Sequence, residues 1–257
     1  MRKLGVLHVA VLGTPLIERD GARVTFDTRK ATALLAYLAV TGHAHSRDRL
    51  TGLLWPDYDR ARGRGALRRT LSVLNAGTGG DCLTLDRDAV GLRSQVVDLD
   101  VVRFRASAAD PRPAALQAAA ELYRDDFLAG FAVRDSAEYD NWQSFQADTL
   151  RREMADVLER LVRARVDAGR PGDALDDARR WLALDPLQEA AHATLMRLYA
   201  GSGQRSDALR QYRACVRVLD RELGVAPLRA TTALYDAIRS GQVPPAPRPA
   251  GAGQVEP

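Results

Sequence analysis

Between Asp59 and Asn75 the chain reads DRARGRGALRRTLSVLN, which brings Arg62, Arg64, Arg68 and Arg69 together with no acid after Asp59. A guanidinium is a planar fork of donors that pairs with a phosphate or with the edge of a guanine, and short groups such as Ser72 and Asn75 suit base edges. Wound at about 100° per residue, Leu67, Thr70, Leu71 and Leu74 share one stripe, while Arg64, Arg68, Arg69, Ser72 and Asn75 fan across the opposite face. The stripe needs a core; the other face offers itself to a polyanion. A solvated helix face has the same charge pattern, so the elements around the segment must decide between the two.

The chain opens with strand-like alternation over Leu4 to Leu12, a Gly13-Thr14-Pro15 turn and a hairpin-type Asp20-Gly21 pair. Asp27 or Thr28 is a candidate N-cap for a helix with an apolar stripe of Ala31, Leu34, Leu35, Leu38 and Ala39, stopped by Gly42. Ser46 caps a second, short helix that Pro56 ends, and the arginine segment is the third. Gly77 to Gly80 breaks the chain, and Leu83 to Leu85 and Ala89 to Leu92 make two short strands around Asp86-Arg87-Asp88. Strands, three helices and a closing hairpin are the order of a winged helix-turn-helix, whose third helix enters the major groove while the hairpin lies near the backbone or minor groove. Arg64, Arg68, Ser72 and Asn75 are then the candidates for base contacts, and Arg62 and Arg69 for phosphates. Arg29, Lys30 and Arg47, at helix N-termini, and Arg87 and Arg93, in and after the hairpin, are further backbone candidates.

The rear of the chain is helical and repetitive. Gly169, Asp173, Ala174 and Leu175 recur as Gly203, Asp207, Ala208 and Leu209, a period of 34 residues that is the tetratricopeptide spacing. Small Ala174 and Ala208 let paired helices approach; Leu161, Trp181, Leu182 and Leu184 fill between them, and Pro186 follows a helix it cannot continue. A helix from Leu187 to Tyr199, one capped by Ser206 and stopped by Gly224, and a last one from Leu228 to Ile238 complete the array. The expected fold is mainly α with small antiparallel β-sheets: a winged helix-turn-helix domain at 1–105, an all-α tetratricopeptide-like domain at 114–240 and a flexible Pro/Gly/Ala-rich tail at 241–257.

Charge follows the same division. Residues 1–80 carry thirteen Lys/Arg against six Asp/Glu, whereas residues 81–257 carry twenty-four against twenty-seven. Long-range attraction for a polyanion belongs to the front half. Neither a membrane span nor a signal peptide is read, since the greasy run Ala31 to Val40 is too short to span a bilayer and no cleavage site follows the N-terminal apolar stretch. Cys82 and Cys215 are too few and far apart for a disulfide scaffold.

No catalytic or cofactor-binding constellation is read. The two lysines, Lys3 and Lys30, lie in no glycine-rich phosphate loop. His43 and His45 have no further ligand nearby and read as solvated turn residues; Asp125, Asp126, Asp135, Glu138 and Asp140 read as helix caps and solvated groups. Trp55, Trp142 and Trp181 read as core anchors.

The strings LLAYLAVTGHAHSRDRLTGLLWPD and RGALRRTLSVLN, with the wing and VDLDVVRF, resemble the DNA-binding domain of the Streptomyces antibiotic regulatory protein family, similar to the OmpR-type winged helix. LYRDDFLAGFAVRDSAEYDNWQSFQADTLRREM and LDPLQEAAHATLMRLYAGSGQRSDALRQYRACVRVLDRELGVAP resemble the bacterial transcriptional activator domain that follows it in that family. The resemblance implies a cytoplasmic, non-enzymatic transcriptional activator. It implies partners as well: directly repeated promoter sequences in double-stranded DNA, a second copy of the chain on that DNA, and RNA polymerase. Two alternatives stand beside it, a tetratricopeptide-type protein-interaction scaffold and the N-terminal regulatory part of a larger signalling ATPase.

Overall fold

A computed structural model describes residues 5–242, so the tail read at 241–257 lies outside the described residues from 243 onward. The described chain forms two compact units, one up to Met154 and one from Ala155. It is mostly helical with small sheets, as the sequence pattern indicates.

The first unit opens with β1 (Leu7–Ala10), β2 (Leu16–Arg19) and β3 (Ala22–Arg23), followed by α1 (Arg29–Thr41), β4 (His45–Ser46), α2 (Arg47–Leu54) and α3 (Arg60–Gly77). The wing is β5 (Leu83–Leu85) and β6 (Ala89–Leu92); β7 (Val97–Leu99), α4 (Asp100–Ala109) and α5 (Pro113–Leu122) follow. One sheet runs β3-β2-β1-β7 and the other β4-β6-β5. Asp20 and Gly21, both at positive φ, make the two-residue turn between β2 and β3, with Arg19 opposite Ala22; this is the turn whose twist matches flanking strands and which an Asp-Gly pair favours. β7 joins β1 in parallel, with Leu7 opposite Val97 and Val9 opposite Leu99.

Helix α1 is enclosed nearly all round, since Ala33 through Leu38 are all buried. Thr28 is its N-cap by position, but its side chain makes no capping hydrogen bond; Gly42 closes the helix in the left-handed conformation. Ser46 caps α2 as read, its side chain accepting from the Arg49 backbone N–H. The core gathers Leu34, Leu35 and Leu38 of α1, Leu50, Leu53 and Leu54 of α2, Leu67, Leu71 and Leu74 of α3, and Phe104 of α4. Buried Asp100 ties α4 to the segment that follows β1, accepting from the Val11 and Leu12 backbone N–H groups at 2.8 Å each.

The segment after α5 is part of this unit. Phe127 bridges to Leu12, Ser136 Oγ donates to the Leu53 carbonyl, and Trp142 sets its ring against Tyr37, Phe127 and Tyr139. Trp142 lies near the start of α6 (Ala137–Asp167). It is half-buried, so its rings anchor this segment at the edge of the core rather than inside it, a partial match to the sequence reading. His45 departs from that reading. It is half-buried in β4, hydrogen-bonded to Thr41 Oγ1 at 2.8 Å and packed against the Tyr37 ring, because the strand pairing of β4 with β6 turns its ring inward.

The second unit carries α7 (Pro171–Leu184), α8 (Glu189–Gly201), α9 (Arg205–Leu223) and α10 (Arg229–Arg239). Gly169 and Gly203, one repeat apart, both sit at positive φ where each chain turn demands it. Ala174 and Ala208 are fully buried, the first against Val162, Leu195 and Leu198, the second against Met196, Leu234 and Ile238. Helix α9 starts two residues earlier than its sequence reading and has Gln204, not Ser206, at its N-cap position, while Gly224 ends it in the left-handed conformation. His192 is buried in α8, its Nε2 donating to the Pro186 carbonyl and its Nδ1 accepting from Gln211.

Candidate nucleic-acid interface

Asp59 sets the start of α3, its carboxylate accepting from the Arg62 backbone N–H at 2.9 Å. The helix then buries Gly63, Ala66, Leu67, Thr70, Leu71 and Leu74, which leaves the remaining arc to solvent. At Gly63 α3 packs directly against α2: a Cβ there would stand 2.3 Å from Thr51 Cγ2.

On one side of the exposed arc an open groove of about 720 Å³ runs between the start of α2, helix α3 and the wing turn. Arg47, Arg60, Arg64, Arg68 and Arg87 line it, with Asp48 and Asp88 as its acids. Arg64 donates through Nε and Nη2 to one oxygen of Asp48, at 3.1 and 2.9 Å, and Arg60 donates through Nη2 to the other at 3.0 Å. These two guanidinium groups, Arg64 first, hold the Asp48 carboxyl below the usual carboxylate range. Arg47 is tied to the wing: its guanidinium donates to the Asp86 carbonyl and its backbone N–H to that of Asp88. Among the described residues the side chains of Arg68 and Arg87 have no hydrogen-bond or ion-pair partner, so both guanidinium forks face the groove open.

A second groove, of about 730 Å³, opens on the other edge of α3 and is lined by Arg29, Lys30, Trp55, Tyr58, Arg69, Val73 and Arg134, among others. Lys30 Nζ stands over the Trp55 ring at 5.3 Å, and burial pushes its pKa down. Arg62 is folded over the Tyr58 ring at 4.0 Å.

The eleven candidates are therefore sorted. Arg47, Arg64, Arg68 and Arg87 share the first groove, and Arg29, Lys30 and Arg69 the second. Arg62 stacks on Tyr58, Ser72 is exposed further along α3, Asn75 is half-buried near its end, and Arg93 is exposed beyond the wing. Three charged residues of these grooves escaped the sequence reading. Arg60 lies four residues before Arg64, a spacing that puts both on one face and could have revealed it. Asp48 and Arg134 reach the grooves through tertiary contacts that no spacing announces.

Among the described residues no helix is long and apolar enough to cross a membrane, and no cluster of three or more His, Cys, Asp or Glu is placed to hold a metal ion.

Fold and groove together define a winged-helix protein that presents a cationic third helix and carries a helical-repeat unit. Residues 95–239 match the family described as Bacterial transcriptional activator domain, and the chain belongs to that family. The resemblance read from its sequence motifs is thereby borne out. Among curated proteins it is similar to the regulatory protein AfsR of Streptomyces coelicolor, 27% identical over 246 residues that are 87% of this chain and 23% of AfsR. It is also similar to the transcriptional regulatory protein MoaR1 of Mycobacterium tuberculosis, 28% identical over 260 residues covering 91% of this chain and 79% of MoaR1. The chain thus spans under a quarter of AfsR but most of MoaR1. In fold it is similar to Mycobacterium tuberculosis EmbR, solved in complex with a low affinity phosphopeptide, with a TM-score of 0.72, 24% identity, and coverage of 93% of this chain and 66% of EmbR.

Proposed function

We propose that the chain is a sequence-specific, double-stranded-DNA-binding transcriptional activator of the cytoplasm, acting by binding rather than catalysis. It binds directly repeated promoter sequences as neighbouring copies and recruits RNA polymerase. The observation that carries this reading is the convergence of five arginines on one open groove between α2, α3 and the wing turn. Guanidinium forks on both sides of a helix match the phosphates that flank a major groove, and an unpartnered Arg68 on its exposed face matches a guanine edge. In this reading residues 1–105 supply DNA contacts and 114–240 supply copy and polymerase contacts. Arg64, Arg68, Ser72 and Asn75 read bases; Arg62, Arg69, Arg29, Lys30, Arg47, Arg87 and Arg93 hold phosphates.

The test is fluorescence anisotropy with duplexes selected from a random pool by the full chain. Affinity should fall steeply with salt as condensed counterions are released. Arg68→Ala should weaken the selected duplex by about 1–3 kcal/mol and relax preference at one position. A duplex affinity insensitive to salt would overturn the reading in favour of a protein-interaction scaffold.

A further inference from the structure

Five arginines in one groove would grip any duplex, yet the strongest carboxylate contact in that groove is made with the helix that must tell sequences apart. Asp48 sits in the first turn of α2, opposite α3, and is exposed. Its two oxygens divide the work: Oδ1 takes the Nε and Nη2 of Arg64, and Oδ2 takes Nη2 of Arg60. Neither arginine has another ion-pair partner among the described residues, whereas Arg68, next along the same face, has none at all. Along α3 the groove therefore holds two restrained guanidinium groups, Arg60 and Arg64, beside the free one of Arg68.

We propose that Asp48 is a specificity-determining residue of the α3 groove, an internal stand-in for a DNA phosphate that keeps Arg60 and Arg64 from gripping non-cognate backbone and holds Arg64 in the pose from which it meets its cognate base. The inference rests on the DNA-binding reading above. Its logic is competition. A carboxylate and a phosphate offer the same guanidinium the same paired acceptors, so each arginine must leave or share Asp48 to take up a backbone contact. An exposed ion pair is weak, so a cognate site displaces or shares it readily, while a site that offers only phosphates gains little by doing so. Specificity is a difference between affinities, and a built-in competitor lowers the non-cognate one. Asp48 also fixes Arg64 through two donors on one edge of its guanidinium, which leaves Nη1 aimed away from the carboxylate.

The experiment compares the full wild-type chain with Asp48→Asn, which keeps size and loses charge, and Asp48→Glu, which keeps charge. Each is titrated by anisotropy against a duplex selected by the wild type and against a random-sequence duplex, over a series of salt concentrations. Asp48→Asn should bind the random duplex about three- to tenfold more tightly. Its salt dependence should steepen by roughly one released ion, the slope of about 0.9 expected per added phosphate contact, and its ratio of selected to random affinity should fall. Asp48→Glu should stay near the wild type. In an Arg60→Ala/Arg64→Ala background the Asp48→Asn effect should vanish, which a merely structural role for Asp48 would not produce. Unchanged random-duplex affinity and slope in Asp48→Asn, or an effect that survives loss of both arginines, would overturn the inference while leaving the DNA-binding reading intact. Wild-type protein without salt-dependent duplex binding would overturn both.

Discussion

Gly63 is the residue on which the geometry of the arginine helix turns. Within a helix a glycine costs roughly 0.5–1 kcal/mol relative to alanine, so its presence in the first half of α3 needs a compensating contact. The contact is the α2 crossing: an added methyl would stand 2.3 Å from Thr51 Cγ2. Thr51 is buried, and its hydroxyl is committed to the Arg47 carbonyl at 2.7 Å; a β-branched side chain in a helix has little rotameric freedom with which to yield. Overpacking of this kind costs about 1–3 kcal/mol. Gly63→Ala should therefore lose roughly 1–2 kcal/mol net of its gain in helix propensity, seen as a lower melting temperature. Adding Thr51→Ser, which removes only the offending methyl, should restore most of it. A Gly63→Ala chain as stable as the wild type would mean that the two helices have room to separate.

Among the elements, the helices were legible where local chemistry defines them and obscure where distant contacts do. Helix α3 carries its own start signal in Asp59 and its own buried stripe, and Ser46 announces α2. The sequence motif VDLD contains β7, but its partner strand lies some ninety residues earlier, so no local alternation marks the parallel pairing with β1. The same holds for the site: the arginines of α3 are visible as a face, but Asp48 joins Arg64 only through the fold. His192 is a third case. On the sequence it is one polar residue in an apolar helix; in the structure it is a buried side chain bridging the Pro186 carbonyl and Gln211. Burial pushes its pKa below the ordinary imidazole value, outweighing the hydrogen bonds that act the other way. A histidine with a depressed folded pKa takes up its proton more readily when unfolded, so its stabilising contribution is full above the unfolded pKa of about 6.5 and is lost as pH falls through the range below it. Amide exchange protection of α8 and α9, corrected for intrinsic rates, should decline between pH 7.5 and pH 5.5, and His192→Asn should flatten that decline. Equal pH dependence in both chains would remove His192 as its source.

At the scale of the whole molecule, the winged helix and the activator-family segment share residues that a division by motif would separate. The family match begins at residue 95, just before β7, while the first compact unit continues to Met154. Four contacts close the winged helix from beyond residue 105. Phe127 bridges to Leu12, and Trp142 covers the Tyr37 ring from 4.9 Å. Ser136 is bonded to the Leu53 carbonyl at the end of α2, and Glu138 pairs with Arg49 in its first turn. Removing these partners exposes Leu12 and Tyr37, both buried in the intact unit, and each large apolar side chain returned to water forfeits about 1.5–3 kcal/mol. A chain ended after residue 105 should therefore melt well below one ended after residue 154, lose cooperativity and show apolar surface to a dye such as anilinonaphthalene sulfonate. The DNA consequence follows from the same contacts, because α2 carries Asp48 and Arg47 into the groove and is pinned from behind by Ser136 and Glu138. The shorter chain should lose discrimination between selected and random duplexes before it loses salt-dependent binding, since phosphate attraction needs only charge whereas base contact needs a fixed helix. Equal melting temperatures and equal discrimination in the two chains would show that the winged helix stands without its activator-side buttress.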